Sequence, residues 1–179
     1  MNCHLFKPQS SASGGGGGGS IVFEESANAP IKDVDATTGL GIYSYEASLG
    51  QSLYTALRVP SSFSAGTQIL LNILVYSADT SGDILIQSVA TLIRPETDQI
   101  TSTTNQRTST NSAVTLSSGT QNEPQAISLD LTDSSGNINS VQVTAGDIIL
   151  VQLTRDNGGT DTATGDLEFI IQSAEGVFS

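Results

Sequence analysis

Charge is scarce in this chain: 13% of its residues are Asp, Glu, Lys or Arg, about half the usual ~25%. Ser, Thr, Asn, Gln and Gly stand where the charges would be, so the surface hydrogen-bonds to water with few ions. Lysine occurs only at Lys7 and Lys32, which argues against surface helices, since these lean on long charged side chains. The four arginines, Arg58, Arg94, Arg107 and Arg155, are scattered singly in a chain of net charge −12. A nucleic-acid backbone needs clustered cations and an anionic membrane surface repels such a chain, so neither is an expected partner. The single cysteine, Cys3, excludes an intrachain disulfide framework. No apolar run approaches the ~20 residues of a membrane span, and Cys3 comes too early to follow the apolar core of a signal peptide. Synthesis in a cytoplasm, with no classical export signal, is the expectation. Tryptophan is absent and His4 is the only histidine, which removes the best sugar-stacking side chain and any Ser-His-Asp or Cys-His arrangement from the folded part. No cofactor is expected.

What is present is a succession of short apolar stretches broken by turn chemistry. Gln51–Val59 alternates, with Leu53, Thr55, Leu57 and Val59 on one face; Pro60 ends it. Residues 68–76 (QILLNILVY) are nearly continuous and predict a central strand. Asp79-Thr80-Ser81-Gly82-Asp83 is a turn that leads into Ile84–Ile93. Further strands are predicted over Ala113–Leu116, Gln125–Leu131, Ile138–Val143, Asp147–Thr154 and Asp166–Gln172, with the polar tract Thr101–Thr110 a loop or edge strand. No helical period is sustained. Eight to ten short strands with regular turns predict an all-β fold, an antiparallel jelly-roll-like β-sandwich.

Three segments follow from composition. Residues 1–20 are a tail with one apolar pair, Leu5-Phe6, and six glycines, Gly14, Gly15, Gly16, Gly17, Gly18 and Gly19. Such glycines lose too much backbone entropy to order alone. They make either a flexible linker or an anchor in which Leu5 and Phe6 dock on a partner while the glycines pass a narrow gap; the anchor is the working expectation. Residues 21–41 read as an extended arm with one edge strand, belonging either to the domain or to a neighbouring subunit, and residues 42–179 as the sandwich.

The loop between the last two predicted strands is built from Asp, Asn, Gly and Thr. Asp156, Asp161 and Asp166 fall five apart in it and form a weak candidate Ca²⁺ site; the spacing is not that of an EF-hand, and Asp and Asn are also default turn residues. Arg155, at the end of IILVQLTR, is a candidate to pair with a carboxylate across a subunit interface. Tyr43, Tyr45 and Tyr54 cluster early and are candidates for stacking on a sugar.

Residues 144–173 (TAGDIILVQLTRDNGGTDTATGDLEFIIQS) and 59–87 (VPSSFSAGTQILLNILVYSADTSGDILIQ) resemble a group of tailed-bacteriophage structural proteins in their AGD-strand-RD hairpin and their sAGt and tSGd turns. The resemblance covers about 60 of the 179 residues. It implies a jelly-roll module in a virion, commonly a homotrimer, as a decoration, head-fibre or tail-associated protein, with capsid or tail proteins as partners; it carries over no catalytic residue. The expectation is therefore a non-enzymatic virion component attached through its N-terminal tail. The alternative is a lectin-like module that reads a host-surface glycan through Tyr43, Tyr45 or the 156–166 loop.

Overall fold

The structure is a computed structural model that describes residues 21–25, 28–35, 39–46, 50–95, 97–98, 104–110, 113–119, 121–155, 161–170 and 173–178. The tail with Leu5, Phe6 and the six glycines lies outside the described residues, as does Asp156.

The chain is an all-β antiparallel sandwich of jelly-roll type. One sheet runs β1 (Phe23–Glu25), β4 (Ser52–Arg58), β13 (Ile148–Arg155), β7 (Ile86–Ile93), β8 (Gln106–Thr110). The other runs β10 (Gln125–Asp130), β5 (Ile69–Tyr76), β14 (Leu167–Ile170), β3 (Gly41–Tyr45), β2 (Ile31–Val34). The chain crosses repeatedly between the sheets, as from β3 to β4, β4 to β5, and β13 to β14. β15 (Glu175–Phe178) pairs with β5 at Ile69–Asn72, beside the stretch Val75–Tyr76 where β14 pairs. Between these two pairings Ser173 Oγ takes the Leu74 N–H at 2.8 Å and donates to the Ile170 carbonyl at 2.6 Å, which satisfies the ladder where the strand breaks.

Period-two alternation decides what is buried. In β5, Ile69, Leu71, Ile73 and Val75 point inward; in β13, Ile149, Val151 and Leu153 do the same. Leu53, Thr55 and Leu57 of β4 share the inner face, as the sequence predicts. Phe169 packs edge-on against Phe23 at 5.0 Å and stacks with Tyr43 at 6.5 Å, and each such aromatic pair adds about 0.5–1.5 kcal/mol to its burial.

Of the two places open to the segment 21–41, the structure shows the domain: β1 completes one sheet, β2 the other, and Phe23 is in the core. Two sequence expectations change. Residues 138–143 are not one strand but the end of a tight hairpin, β11 (Asn137–Ile138) against β12 (Val141–Gln142), turned by Asn139 and Ser140 at positive φ. The predicted strand Ile84–Ile93 is split: Ile84 joins Asp83 in β6 (Asp83–Ile84), which pairs with β9 (Val114–Thr115), and the rest forms β7.

Candidate functional site

Arg155 shows what alternation implies at a strand end. It lies in phase with Ile149, Val151 and Leu153, so its side chain turns into the sandwich and is 2% exposed. A buried guanidinium is tolerable only if every donor is met. Here Nε and Nη2 clamp both oxygens of Asp161 at 3.0 and 2.9 Å, Nη2 also donates to the Ala163 carbonyl, and Nη1 donates to the carbonyls of Gly165 at 2.6 Å and Tyr45 at 3.4 Å. All five N–H groups are thereby used within the chain, so the pairing of Arg155 across a subunit interface gives way to an internal clamp. The same geometry removes the calcium reading of Asp161: its oxygens take the guanidinium and the Leu85 N–H at 3.1 Å. Asp166 lies elsewhere, at the mouth of an acidic recess. Among the described residues no group of three His, Cys, Asp or Glu side chains is arranged to hold a metal. Two glycines let the loop close. Gly82 stands at φ +99°, and a Cβ there would lie 2.8 Å from the Ala163 backbone; one at Gly165 would lie 2.6 Å from Asp79 Oδ1.

The tyrosine cluster separates. Tyr43 and Tyr45 sit two apart on β3 and both face the core, 1% and 2% exposed. Burial raises both phenols, further at Tyr43 through the nearby Glu25 carboxylate. Neither can stack on a ligand, which corrects that part of the sequence reading. Tyr54 is out of phase with Leu53 and Thr55, so it projects from the outer face of β4 and is 42% exposed.

The surroundings of Tyr54 follow from strand register. Across the outer face of the first sheet, one row reads Glu24, Tyr54, Gln152, Val89, Thr108. The next row on one side is Ser52, Thr154, Gln87, Thr110, and on the other Ala56, Leu150, Thr91, Gln106. Gln152 donates through Nε2 to Ser52 Oγ at 3.0 Å, and Ser52 Oγ lies 2.8 Å from Thr154 Oγ1. Gln106 Nε2 donates to Thr91 Oγ1 at 3.0 Å. These bonds fix the amides against the sheet. The Gln152 carbonyl and the Glu24 carboxylate remain as acceptors on either side of an exposed aromatic ring. The alternation alone marks this face, since Gln152 falls between the inward Val151 and Leu153, although no residue type in it is distinctive of a site.

On the outer face of the second sheet, Asp33, Asp35, Asp166 and Glu168 converge with Tyr76 and Ile42 around a recess of about 430 Å³. Glu168 lies across the sheet from Ser44, whose Oγ donates to its Oε1 at 3.0 Å. Its Oε2 is buried without a hydrogen-bond partner. Desolvation, and then the neighbouring carboxylates Asp166, Asp33 and Asp35, raise its carboxyl above the usual range despite the bond from Ser44. Tyr76 donates to Asp35 Oδ2 at 3.1 Å, and its phenol is pushed up to about 12, chiefly by burial.

No family model and no curated protein matches this chain. Among solved structures, it is similar to the CBM22-1–GH10 modules of the N-terminal endo-1,4-β-D-xylanase 10B of Clostridium thermocellum, complexed with xylohexaose, at 14% identity and TM-score 0.47, over 89% of this chain and 26% of that one. It is also similar to TmCBM61 in complex with β-1,4-galactotriose, at 11% identity and TM-score 0.37, over 92% of this chain and 86% of that one. A third match is the C-terminal CBM6 of LamC, a marine laminarinase from Zobellia galactanivorans, at 14% identity and TM-score 0.38, over 89% and 99%. The chain thus spans about a quarter of the first of these structures and most of the other two.

Proposed function

We propose that this chain is a carbohydrate-recognising β-sandwich that binds a neutral glycan on the outer face of the β1–β4–β13–β7–β8 sheet and does not itself cleave it. The observation that carries this reading is Tyr54. An aromatic ring 42% exposed at the middle of a regular strand costs apolar surface in water, and it stands in a field of amides, hydroxyls and one carboxylate. A pyranose offers the complementary surface: an apolar C–H face for the ring and hydroxyls for Gln152 and Glu24. The net charge of −12 and the Glu24 carboxylate disfavour acidic sugars. A shallow platform with one ring supports weak binding, a Kd of roughly 0.1–1 mM per site.

Titration of the full chain with neutral oligosaccharides, after a glycan array has chosen them, tests the reading. Saturable binding that falls at least about tenfold in Tyr54→Ala and survives in Tyr54→Phe is expected. Binding unchanged by Tyr54→Ala, or no binding to any neutral glycan, would sink it. Cleavage of the bound sugar would replace it with catalysis.

A second reading keeps the role of an acidic, non-enzymatic virion component, assembled as a trimer and attached to a capsid or tail. Besides the resemblance over residues 59–87 and 144–173, one observation favours it. Val22, Ile31, Val34 and Leu40 are 66, 56, 58 and 39% exposed, all in the segment that forms one side of the sandwich. Light scattering that shows a stable monomer at micromolar concentration would count against it; the two readings are compatible in a virion protein that recognises a host glycan.

A further inference from the structure

We propose that a hollow on the outer face of the second sheet, where β5 changes partners, is a second binding site that takes a single neutral sugar ring. It stands apart from Tyr54, which projects from the other sheet. Asn72 is the residue that marks it. It interrupts the most apolar strand of the chain, with Ile69, Leu70 and Leu71 before it and Ile73, Leu74 and Val75 after. Asparagine is disfavoured in strands, and this one is half-buried. Among the described residues its side chain makes no hydrogen bond. Register sets Asn72 opposite Ser128 of β10 on one side and Glu175 of β15 on the other. The side chains of Ser128 and Glu175 likewise make no hydrogen bond or ion pair among the described residues. A hydroxyl, an amide and a carboxylate thus stand in one row, about 4.8 Å apart from strand to strand, and the fold uses none of them.

The hollow comes from the break in the sheet. β15 pairs with β5 only as far as Asn72, and β14 takes over at Val75. Between them Ser173 holds the Leu74 N–H with its side chain. On the other side of Leu74 the opposite residue is Ala126, too small to fill the gap. What results is a hollow of about 370 Å³ lined by Asn72, Leu74, Ala126, Ser128, Ser173 and Glu175. Leu74 and Ala126 give it an apolar floor beside the polar row. A sugar ring has the same division, a C–H surface edged with hydroxyls. Glu175 can accept from two hydroxyls, while Asn72 donates to one and accepts from another. Charge excludes an acidic sugar: Glu175 is joined by Asp130 in the next row, opposite Leu70, in a chain of net charge −12. A cation would leave the Asn72 N–H groups and the apolar floor without a match.

The test titrates the full ¹⁵N-labelled chain with glucose, galactose, mannose and xylose. At least one is expected to shift the amides of residues 72–74, 126–128 and 173–175 saturably, with a Kd of roughly 1–10 mM. Asn72→Val, which favours the strand, should weaken this by tenfold or more without lowering stability, whereas a merely structural role for Asn72 would move stability and leave the affinity alone. Ala126→Leu, at an exposed position, should fill the hollow and abolish the response. Tyr54→Ala should leave it intact, so failure at the Tyr54 face and failure here are read separately. No shift of these amides by any of the four sugars up to about 100 mM, ten times the weakest expected Kd, would overturn the proposal. So would an unchanged affinity in Asn72→Val, loss of the response in Tyr54→Ala, or equal shifts with lysine hydrochloride, which would assign the hollow to a cation.

Discussion

At the scale of single residues, burial of ionisable groups sets the clearest expectations. Arg155 and Asp161 have side chains 2% and 3% exposed, so their pairing repays desolvation only while both are present. Removing one partner of a buried pair costs about 3–5 kcal/mol, whereas replacing both by apolar side chains of similar size is often nearly neutral. Asp161→Ala should therefore lower the urea unfolding free energy by about 3–5 kcal/mol, and Arg155→Leu with Asp161→Leu by markedly less. A single-variant loss under 1 kcal/mol would mean that the clamp does not hold the 161–165 loop. Glu168 works in the opposite direction. Its folded-state carboxyl titrates above its ordinary 4.5, so between 4.5 and that raised value the folded protein holds a proton that the unfolded chain has released. Unfolding free energy then falls as pH rises through this window, and the destabilisation is complete above it. Glu168→Gln should be neutral or stabilising at pH 7 and should flatten the stability profile just above pH 4.5. Thermal melts across pH 4–7 read this directly, and a variant whose profile keeps the wild-type slope would remove Glu168 as its source.

At the scale of elements, alternation was the legible signal and strand ends were not. The inward set of β4 and the central place of β5 follow from residue pattern alone, whereas the polar tract 101–110 was compatible with a loop or an edge strand, and its end Gln106–Thr110 is the strand. The same pattern put Tyr54 outward, because Leu53 and Thr55 flank it, and put Arg155 inward; both were readable, but side-chain type spoke louder than phase. Tyr43 and Tyr45 were ambiguous because β3 is short and Ile42 is as apolar as they are. Outward-facing Ile42 is 7% exposed although it is outside the core cluster, so hydrophobicity does not mark the core face there. The acidic recess could not be read at all, since Asp33, Asp35, Asp166 and Glu168 meet only through pairings between β2, β3 and β14. Turns supply their own test. Gly146 and Gly82 both have positive φ, +90° and +99°, but a Cβ at Gly146 meets nothing within 4 Å while one at Gly82 strikes the Ala163 backbone at 2.8 Å. Gly146→Ala should cost about 1–2 kcal/mol from conformation alone. Gly82→Ala should cost more and loosen the 161–165 loop as well. Equal losses in urea titrations would show that the contact between the turn and Ala163 carries no weight.

At the scale of the molecule, the two sheets present unlike outer faces. The first carries Tyr54 among amides and hydroxyls; the second carries the carboxylates of the recess. The core that separates them is rigidly packed and runs from Phe23 to Leu167 and Phe169, so a change on one outer face has little to transmit to the other. Tyr54→Ala should abolish the glycan response of its own face, and Asp33→Asn with Glu168→Gln, on the opposite outer face, should leave it unchanged. The core also bears on the tail. Among the described residues every core side chain comes from residue 23 or later. On the anchor reading, the chain without residues 1–20 should melt within about 2 °C of the full one and bind the same glycan. If residues 1–20 are an anchor, the truncation should separate two properties that a purely structural tail would not: folding and ligand binding retained, incorporation into a larger assembly lost. A large fall in melting temperature would instead show that residues 1–20 pack on the sandwich, and the anchor reading would then have to yield to a structural one.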